Sequence, residues 1–250
     1  MSYKAVLFDM DGTVLDTLDD LLDSVNYSLA HFSLPPVSRE HVRQNLGNGA
    51  AFLINHCMPA ECSPELCSRV LAFYKPWYDE HCRIKTSPYE GILPMMEKLR
   101  TRGLRLAIIS NKPDSAVQEL AEACFPGLLE LAVGESSSVR RKPAPDTVLT
   151  AASQMNLSQA DCVYVGDSEV DILTALNAGM DCISVTWGFR DEPQLLESGA
   201  SVLAHTPEEL LNLILASLTS SIPIYVKAAS SNTSMQLSLF CLLFFTRGRE

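Results

Sequence analysis

Short apolar runs that end in carboxylate or amide side chains, separated by helix-length amphipathic stretches, constrain this chain more than any other feature. Ala5, Val6, Leu7 and Phe8 form an uninterrupted β-prone run, and Asp9, Asp11 and Gly12 follow at once. Such a run reads as a strand, 4–8, buried on both faces of a parallel sheet. Gly12 lets the chain turn sharply. Asp9 and Asp11 are therefore expected at the C-terminal end of a central strand, where open α/β sheets bind ligands. Residues two apart on an extended chain point the same way. Two carboxylates held close repel and raise one pKa unless a cation sits between them. The same residues also fit an Asp-Gly turn beside a solvated aspartate, so the rest of the chain must decide.

From residue 16 to about residue 82 the pattern is helical. Leu18, Leu21, Leu22, Val25 and Leu29 recur at three- and four-residue spacing, with Asp19, Asp20 and Asp23 between them. Further helices are predicted over 38–45, 50–57 and 64–81, with Ser38 as an N-cap. Strands and helices then alternate. Helices are predicted over 92–102 (closed by Gly103), 115–124, 145–155, 171–178 (closed by Gly179) and 207–218. Strands are predicted over 104–109, ending at Ser110-Asn111, over 129–133, over 162–165, ending at Gly166-Asp167, and over 182–185. This repetition specifies an α/β fold with a doubly wound parallel sheet. The expected organisation is a Rossmann-like core of residues 1–15 and 86–218, with a helical cap of residues 16–85 inserted after the first strand. Residues 219–250 form a tail, Ser-rich and then very apolar over 235–245. That stretch falls short of the roughly 20 apolar residues a membrane span needs. It fits an added packing element, a partner-binding segment or an extension foreign to the fold, and it carries no functional weight.

With 250 residues and 47% hydrophobic content, the chain can build a sizeable core without disulfides or metals. Its formal net charge of -11 excludes a general nucleic-acid binder, which needs a basic footprint. A local pocket can still hold a small anion. None of the eight cysteines forms a CxxC pair, and the N-terminus lacks a basic region followed by an apolar one. Free thiols and a cytoplasmic location are the expectation. His56, Cys57, Cys62, Cys67, His81 and Cys82 fit no common zinc-site spacing. Gly47 and Gly49 hint at a dinucleotide fingerprint, but Phe52 replaces the third glycine and no strand precedes them.

Polar residues gather at the predicted strand ends: Asp9, Asp11 and Thr13; Ser110 and Asn111; Gly166, Asp167 and Asp171; with Lys142 in the loop before a helix. Singly, each has a plain reading. Ser110-Asn111 is a common turn or cap pair, Lys142 an ordinary solvated lysine, and Asp171 a charge at a helix start. Together they converge on one edge of one sheet. DMDGT at 9–13, IISN at 108–111, RKPAPD at 141–146 and VGDSEVD at 165–171 resemble, in order and spacing, the four motifs of the haloacid dehalogenase-like hydrolase superfamily. The insertion after the first motif resembles the helical-cap branch. LGNGAAFLI at 46–54 and WGFRDE at 187–192 are similar to the phosphoglycolate phosphatase group.

The resemblance implies a Mg²⁺-dependent phosphatase of a small phosphorylated metabolite, with 2-phosphoglycolate favoured, acting without nucleic acid or membrane as a monomer or homodimer. Mg²⁺ would be held by the Asp9 and Asp167 side chains and the Asp11 backbone carbonyl, with Asp171 orienting its shell. Asp9 would attack phosphorus and form an aspartyl-phosphate. Asp11 would protonate the leaving alkoxide and then activate water. Lys142 would neutralise charge on the transferring group, and Thr13, Ser110 and Asn111 would bind phosphoryl oxygens. Asn48 and Gly49 resemble a cap loop facing substrate, or equally a plain helix–helix turn. Asp11 argues against carbon–halogen cleavage, and the absence of lysine from residues 16–74 argues against phosphonate cleavage. A pyrophosphatase or sugar-phosphate mutase shares most of these residues. A catalytically silent binding protein on this fold would have no need of intact Asp9, Asp11, Lys142 and Asp167.

Overall fold

In the computed structural model, which describes residues 3–218, the chain opens with β1 (Ala5–Phe8) and β2 (Leu15–Asp16). Four helices follow: α1 (Leu18–His31), α2 (Arg39–Gln44), α3 (Gly49–Cys57) and α4 (Pro64–His81). Then come β3 (Ser87–Pro88), α5 (Ile92–Thr101), β4 (Arg105–Pro113), α6 (Asp114–Cys124), β5 (Leu131–Glu135) and α7 (Asp146–Gln154). The chain continues through β6 (Cys162–Gly166), α8 (Glu169–Ala178), β7 (Asp181–Val185), α9 (Glu192–Glu197), β8 (Leu203–Ala204) and α10 (Pro207–Leu218). The predicted tail, including its apolar stretch and Cys241, lies outside the described residues.

Six strands form one sheet in the order β5-β4-β1-β6-β7-β8, and every neighbouring pair is parallel. The chain builds outward from β1 through β4 to β5, then crosses back and builds the other way through β6. β1 therefore sits at the switch point, where parallel sheets leave a crevice beyond the strand ends. Its alternation explains its unbroken apolar run. Ala5 and Leu7 enter one core cluster with Val148, Met155, Ala175 and Met180, under α7 and α8. Val6 and Phe8 enter the other, with Met96, Leu120, Leu210 and Ile214, under α5, α6 and α10. Burying each large side chain contributes about 1.5–3 kcal/mol.

The helical block α1–α4 is spliced into the chain between β2 and β3. These two-residue strands pair antiparallel, Leu15 with Pro88 and Asp16 with Ser87, so the outgoing and returning chains run side by side. Buried Asp20 fastens the return, its carboxylate accepting the amides of Lys85 (3.0 Å to each oxygen) and Thr86 (2.8 Å). Leu18, Leu21, Val25 and Leu29 form the buried stripe of α1, as the spacing predicts. Ser38 caps α2 by accepting the His41 amide at 3.1 Å. Gly179 ends α8 in the left-handed conformation, φ 66°.

Some boundaries differ from expectation. β4 continues past residue 109 to Pro113, with a register shift against β5 between Ile109 and Pro113. β5 lies two residues later than predicted, and α8 begins at Glu169 rather than 171. The sequence reading had no counterpart for β2, β3, β8 or α9. Among the described residues no helix is long and apolar enough to cross a membrane.

Candidate active site

The carboxyl ends of β1, β4 and β6 share one edge of the sheet, and the loop before α7 reaches the same place. Asp9 follows β1 directly. Its Oδ1 lies 2.9 Å from Lys142 Nζ and accepts the Met10 amide at 2.7 Å. Lys142 Nζ also lies 2.8 Å from Asp171 Oδ1 and donates to the Tyr164 hydroxyl at 2.9 Å. Asp167, just after β6, is held from two sides: Thr13 Oγ1 donates to Oδ1 at 3.0 Å and the Phe189 amide to Oδ2 at 2.7 Å. Asp171 is the third residue of α8, and its Oδ2 accepts the Ser168 amide (3.2 Å) and hydroxyl (2.7 Å) in a capping box. One oxygen each from buried Asp9, Asp167 and Asp171 lies within 4.8 Å of the others.

Glycine makes this crowding possible. A Cβ on Gly12, whose φ is +81°, would stand 2.4 Å from Asp167 Oδ2. A Cβ on Gly188 would stand 2.4 Å from Asp167 Cβ. Neither approach is possible for any other residue without moving the carboxylate.

The electrostatics follow from burial. Asp9 is pushed up to about 7 by burial, opposed by Lys142 and reinforced by Asp171 and Asp11. Burial, Asp171 and Asp9 push Asp167 well above the usual carboxylate range. Burial alone would lower Lys142, but Asp171 and Asp9 outweigh it and hold the ammonium well above its ordinary range. With all four site carboxylates ionised, Asp9, Asp11, Asp167 and Asp171 face two lysines, Lys142 and Lys112, a surplus of two negative charges that raises Asp9 and Asp167 and that a cation would relieve. An all-oxygen donor set with that surplus fits a hard divalent cation.

Asp11 is apart from the trio. Its Oδ1 is buried, lies 3.1 Å from Lys112 Nζ and is otherwise without a hydrogen bond, and the residue lines a cleft shared with Asp9 and Lys112. Ser110 and Gly49 also line that cleft, Gly49 at the first position of α3. Asn48 occupies the N-cap of α3 without a side-chain capping bond. Asn111 lines the cleft too, but its side chain is engaged in protein contacts. Its Nδ2 donates to the carbonyls of Gly47 and Lys142, and its Oδ1 accepts the Lys142 amide, all at 2.9 Å. It ties the loop before α3, β4 and the Lys142 loop together. Thr13, likewise, spends its hydroxyl on Asp167.

Sequence reasoning missed Lys112, Tyr78, Tyr164 and Arg190. Lys112 is buried, donates to the Tyr78 hydroxyl and lies 4.4 Å from that ring's centroid. It reaches the site because β4 runs on through its bulge, which re-aims side chains. The available signal was its place directly after Ser110-Asn111. Tyr78 and Tyr164 read as core aromatics in their own elements. Arg190 belongs to the WGFRDE stretch, which clamps the helical block. Its guanidinium donates to the carbonyls of Arg43 (3.2 Å) and Leu46 (3.0 Å) and pairs with Glu169 at 2.7 Å. Arg43 returns a bond to the Phe189 carbonyl at 2.6 Å, and Trp187 Nε1 donates to the Thr13 carbonyl at 3.0 Å.

A haloacid dehalogenase-like hydrolase profile matches residues 6–185, and the chain belongs to that family. Within it the chain resembles the phosphoglycolate phosphatases and is an enzyme of the phosphoric monoester hydrolase class. The phosphoglycolate phosphatase of Chromobacterium violaceum is 31% identical over 218 residues, 84% of this chain and 96% of that one. The N-acetylmuramic acid 6-phosphate phosphatase of Pseudomonas aeruginosa is 28% identical over 216 residues, 86% and 96% of the two chains. A crystal structure from Lactobacillus delbrueckii subsp. bulgaricus superposes with a TM-score of 0.82 at 40% identity, over 86% of this chain and 99% of that one.

Proposed function

We propose that this chain is a Mg²⁺-dependent phosphatase of a small phosphorylated metabolite, with 2-phosphoglycolate favoured, working through an aspartyl-phosphate. The carrying observation is the buried Asp9–Lys142–Asp171 group beside Asp167, with Asp11 at the cleft. Asp9 and Asp167, with the Asp11 carbonyl, hold the cation, and Asp171 fixes Lys142 against them. When bound, the cation supplies positive charge between the carboxylates and a phosphate dianion. Asp9 attacks phosphorus in line and becomes the acyl phosphate. Asp11 gives a proton to the departing ester oxygen, then takes one from the water that hydrolyses the acyl phosphate. Lys142 opposes the rise that burial imposes on Asp9, favouring its ionised form, and carries positive charge beside the transferring group. Ser110 and the backbone amides after Asp11 receive phosphoryl oxygens. We place the helical cap at residues 16–85 and the catalytic core at 1–15 and 86–218. The enzyme is read as cytoplasmic. The names of the two relatives support the substrate class, since each denotes the phosphate ester of a carboxylic acid.

Hydrolysis of p-nitrophenyl phosphate with Mg²⁺ and with EDTA tests the reading. Turnover is expected only with Mg²⁺, and Asp9→Asn is expected to lower it on the order of a thousandfold or more. A near-normal rate in the variant would remove the nucleophile assignment. Specificity constants across a panel of phosphorylated metabolites then rank 2-phosphoglycolate.

A further inference from the structure

Lys112 has no part in the mechanism above, yet it is a buried ammonium that lines the cleft. Its side chain is 2% exposed. An ammonium carries three N–H donors. The Tyr78 hydroxyl takes one, and Asp11 Oδ1 lies 3.1 Å from the nitrogen. At least one donor is left for a ligand, and Lys112 lines the same cleft as Asp9 and Asp11. Burying an ammonium is unfavourable unless it is paired and hydrogen-bonded.

Its position fixes what it can hold. Asp11 is the group assigned to protonate the ester oxygen, so that oxygen must come within about 3 Å of the Asp11 carboxylate. Lys112 is one contact further on. A group bound to Lys112 while Asp11 serves the ester oxygen is therefore separated from that oxygen by only a carbon or two. Gly49 and Ala50, at the start of α3, border the same cleft, and Asn48 leaves that helix start without a side-chain cap. Open helix starts favour negative charge. Leu21, Leu46 and Leu53 supply apolar wall beside Tyr74, Tyr78 and Ser110.

We propose that Lys112 binds a second anionic group of the substrate, a carboxylate one carbon from the ester oxygen, and so selects phosphorylated 2-hydroxy acids over neutral phosphate esters. This rests on the phosphatase reading given above. Lys112 acts here as a specificity residue that touches the substrate's far end and takes no part in proton or phosphoryl transfer.

The test compares kcat/KM for 2-phosphoglycolate and for 2-hydroxyethyl phosphate, a neutral-tailed ester of similar size, with Mg²⁺ present. The wild-type enzyme is expected to prefer the acid ester by more than about tenfold. In Lys112→Met and Lys112→Gln that preference is expected to fall about tenfold to a hundredfold, chiefly through a raised KM for the acid ester. Thermal melting confirms that the variants are folded. A wild-type ratio near one overturns the proposal. So does a folded variant with an unchanged ratio, or with equal losses on both esters, which would leave Lys112 serving Asp11 alone. Wild-type enzyme inert toward both esters and toward p-nitrophenyl phosphate would fell the phosphatase reading and this proposal with it.

Discussion

Lys142 and Asp9 make the same ion pair, yet their removal should have opposite consequences. Lys142 stands between Asp9 and Asp171, within 2.9 Å of each, in a group closed to solvent. Lys142→Met leaves two buried carboxylates facing each other, and breaking a buried pair from one side costs about 3–5 kcal/mol. Asp9→Asn removes one of the crowded negative charges instead, at a position already pushed up to about 7. It is expected to leave stability equal or improved. Urea unfolding at pH 8 in EDTA measures both, and a Lys142→Met curve coincident with the wild type would mean that the pair contributes nothing. Asp9 and Asp167 were readable in the sequence because a charged residue directly after a β-prone run has few structural uses, whereas Lys142, in a loop, stood out only through the RKPAPD stretch around it. Asn111 and Thr13 were readable as site residues but not as the ties they form. Those ties depend on the Lys142 loop and Asp167, which lie far away in sequence.

Among the elements, long periodic helices such as α1 and α4 were legible from their apolar stripe. The core strands were legible because burial on both faces makes them uniformly apolar. The two-residue strands β2, β3 and β8 carry no periodicity to detect, since their pairing is set by tertiary contact. α9 did leave a trace: Asp191 and Gln194 form its capping box, with Pro193 in the first turn. At the crossing between core and helical block, order depends on one side chain. Asp20 accepts the amides of both Lys85 and Thr86. Asp20→Ala leaves these two donors without their acceptor, a loss of about 1–3 kcal/mol. Urea midpoints at unchanged m-value should show it, with Asp20→Asn intermediate because one acceptor oxygen remains. An Asp20→Ala midpoint equal to the wild type would mean that water replaces the carboxylate at no cost and that the β2–β3 pair holds the crossing unaided.

For the molecule as a whole, the acidic trio couples stability to pH and to the cation. Asp9 at about 7, and Asp167 well above its usual range, both exceed the ordinary carboxylate value of 3.8 that applies to the unfolded chain. Without metal, the native state therefore keeps protons between about pH 4 and 7 that the unfolded chain has lost. Stability falls with pH wherever the native state binds more protons. Raising the pH from 5 to 8 strips those protons, and the metal-free protein is expected to melt at progressively lower temperature. Carboxylates held low, such as Asp161 by Ser158 and Lys4 and Glu130 by Arg105, act mainly below this window, where the unfolded chain takes up its protons, and oppose the trend only near its acid end. A divalent cation reverses it. The cation displaces the same protons, so its affinity rises with pH, and binding to the native state alone adds RT ln(1 + [L]/Kd). The melting temperatures with Mg²⁺ and with EDTA should diverge steadily from pH 5 to 8. The divergence should shrink in Asp9→Asn, which removes both a ligand and a titrating group. A gap widest at pH 5, or one untouched by Asp9→Asn, would place the cation away from the trio and leave the charge surplus of the cleft without its counter-ion.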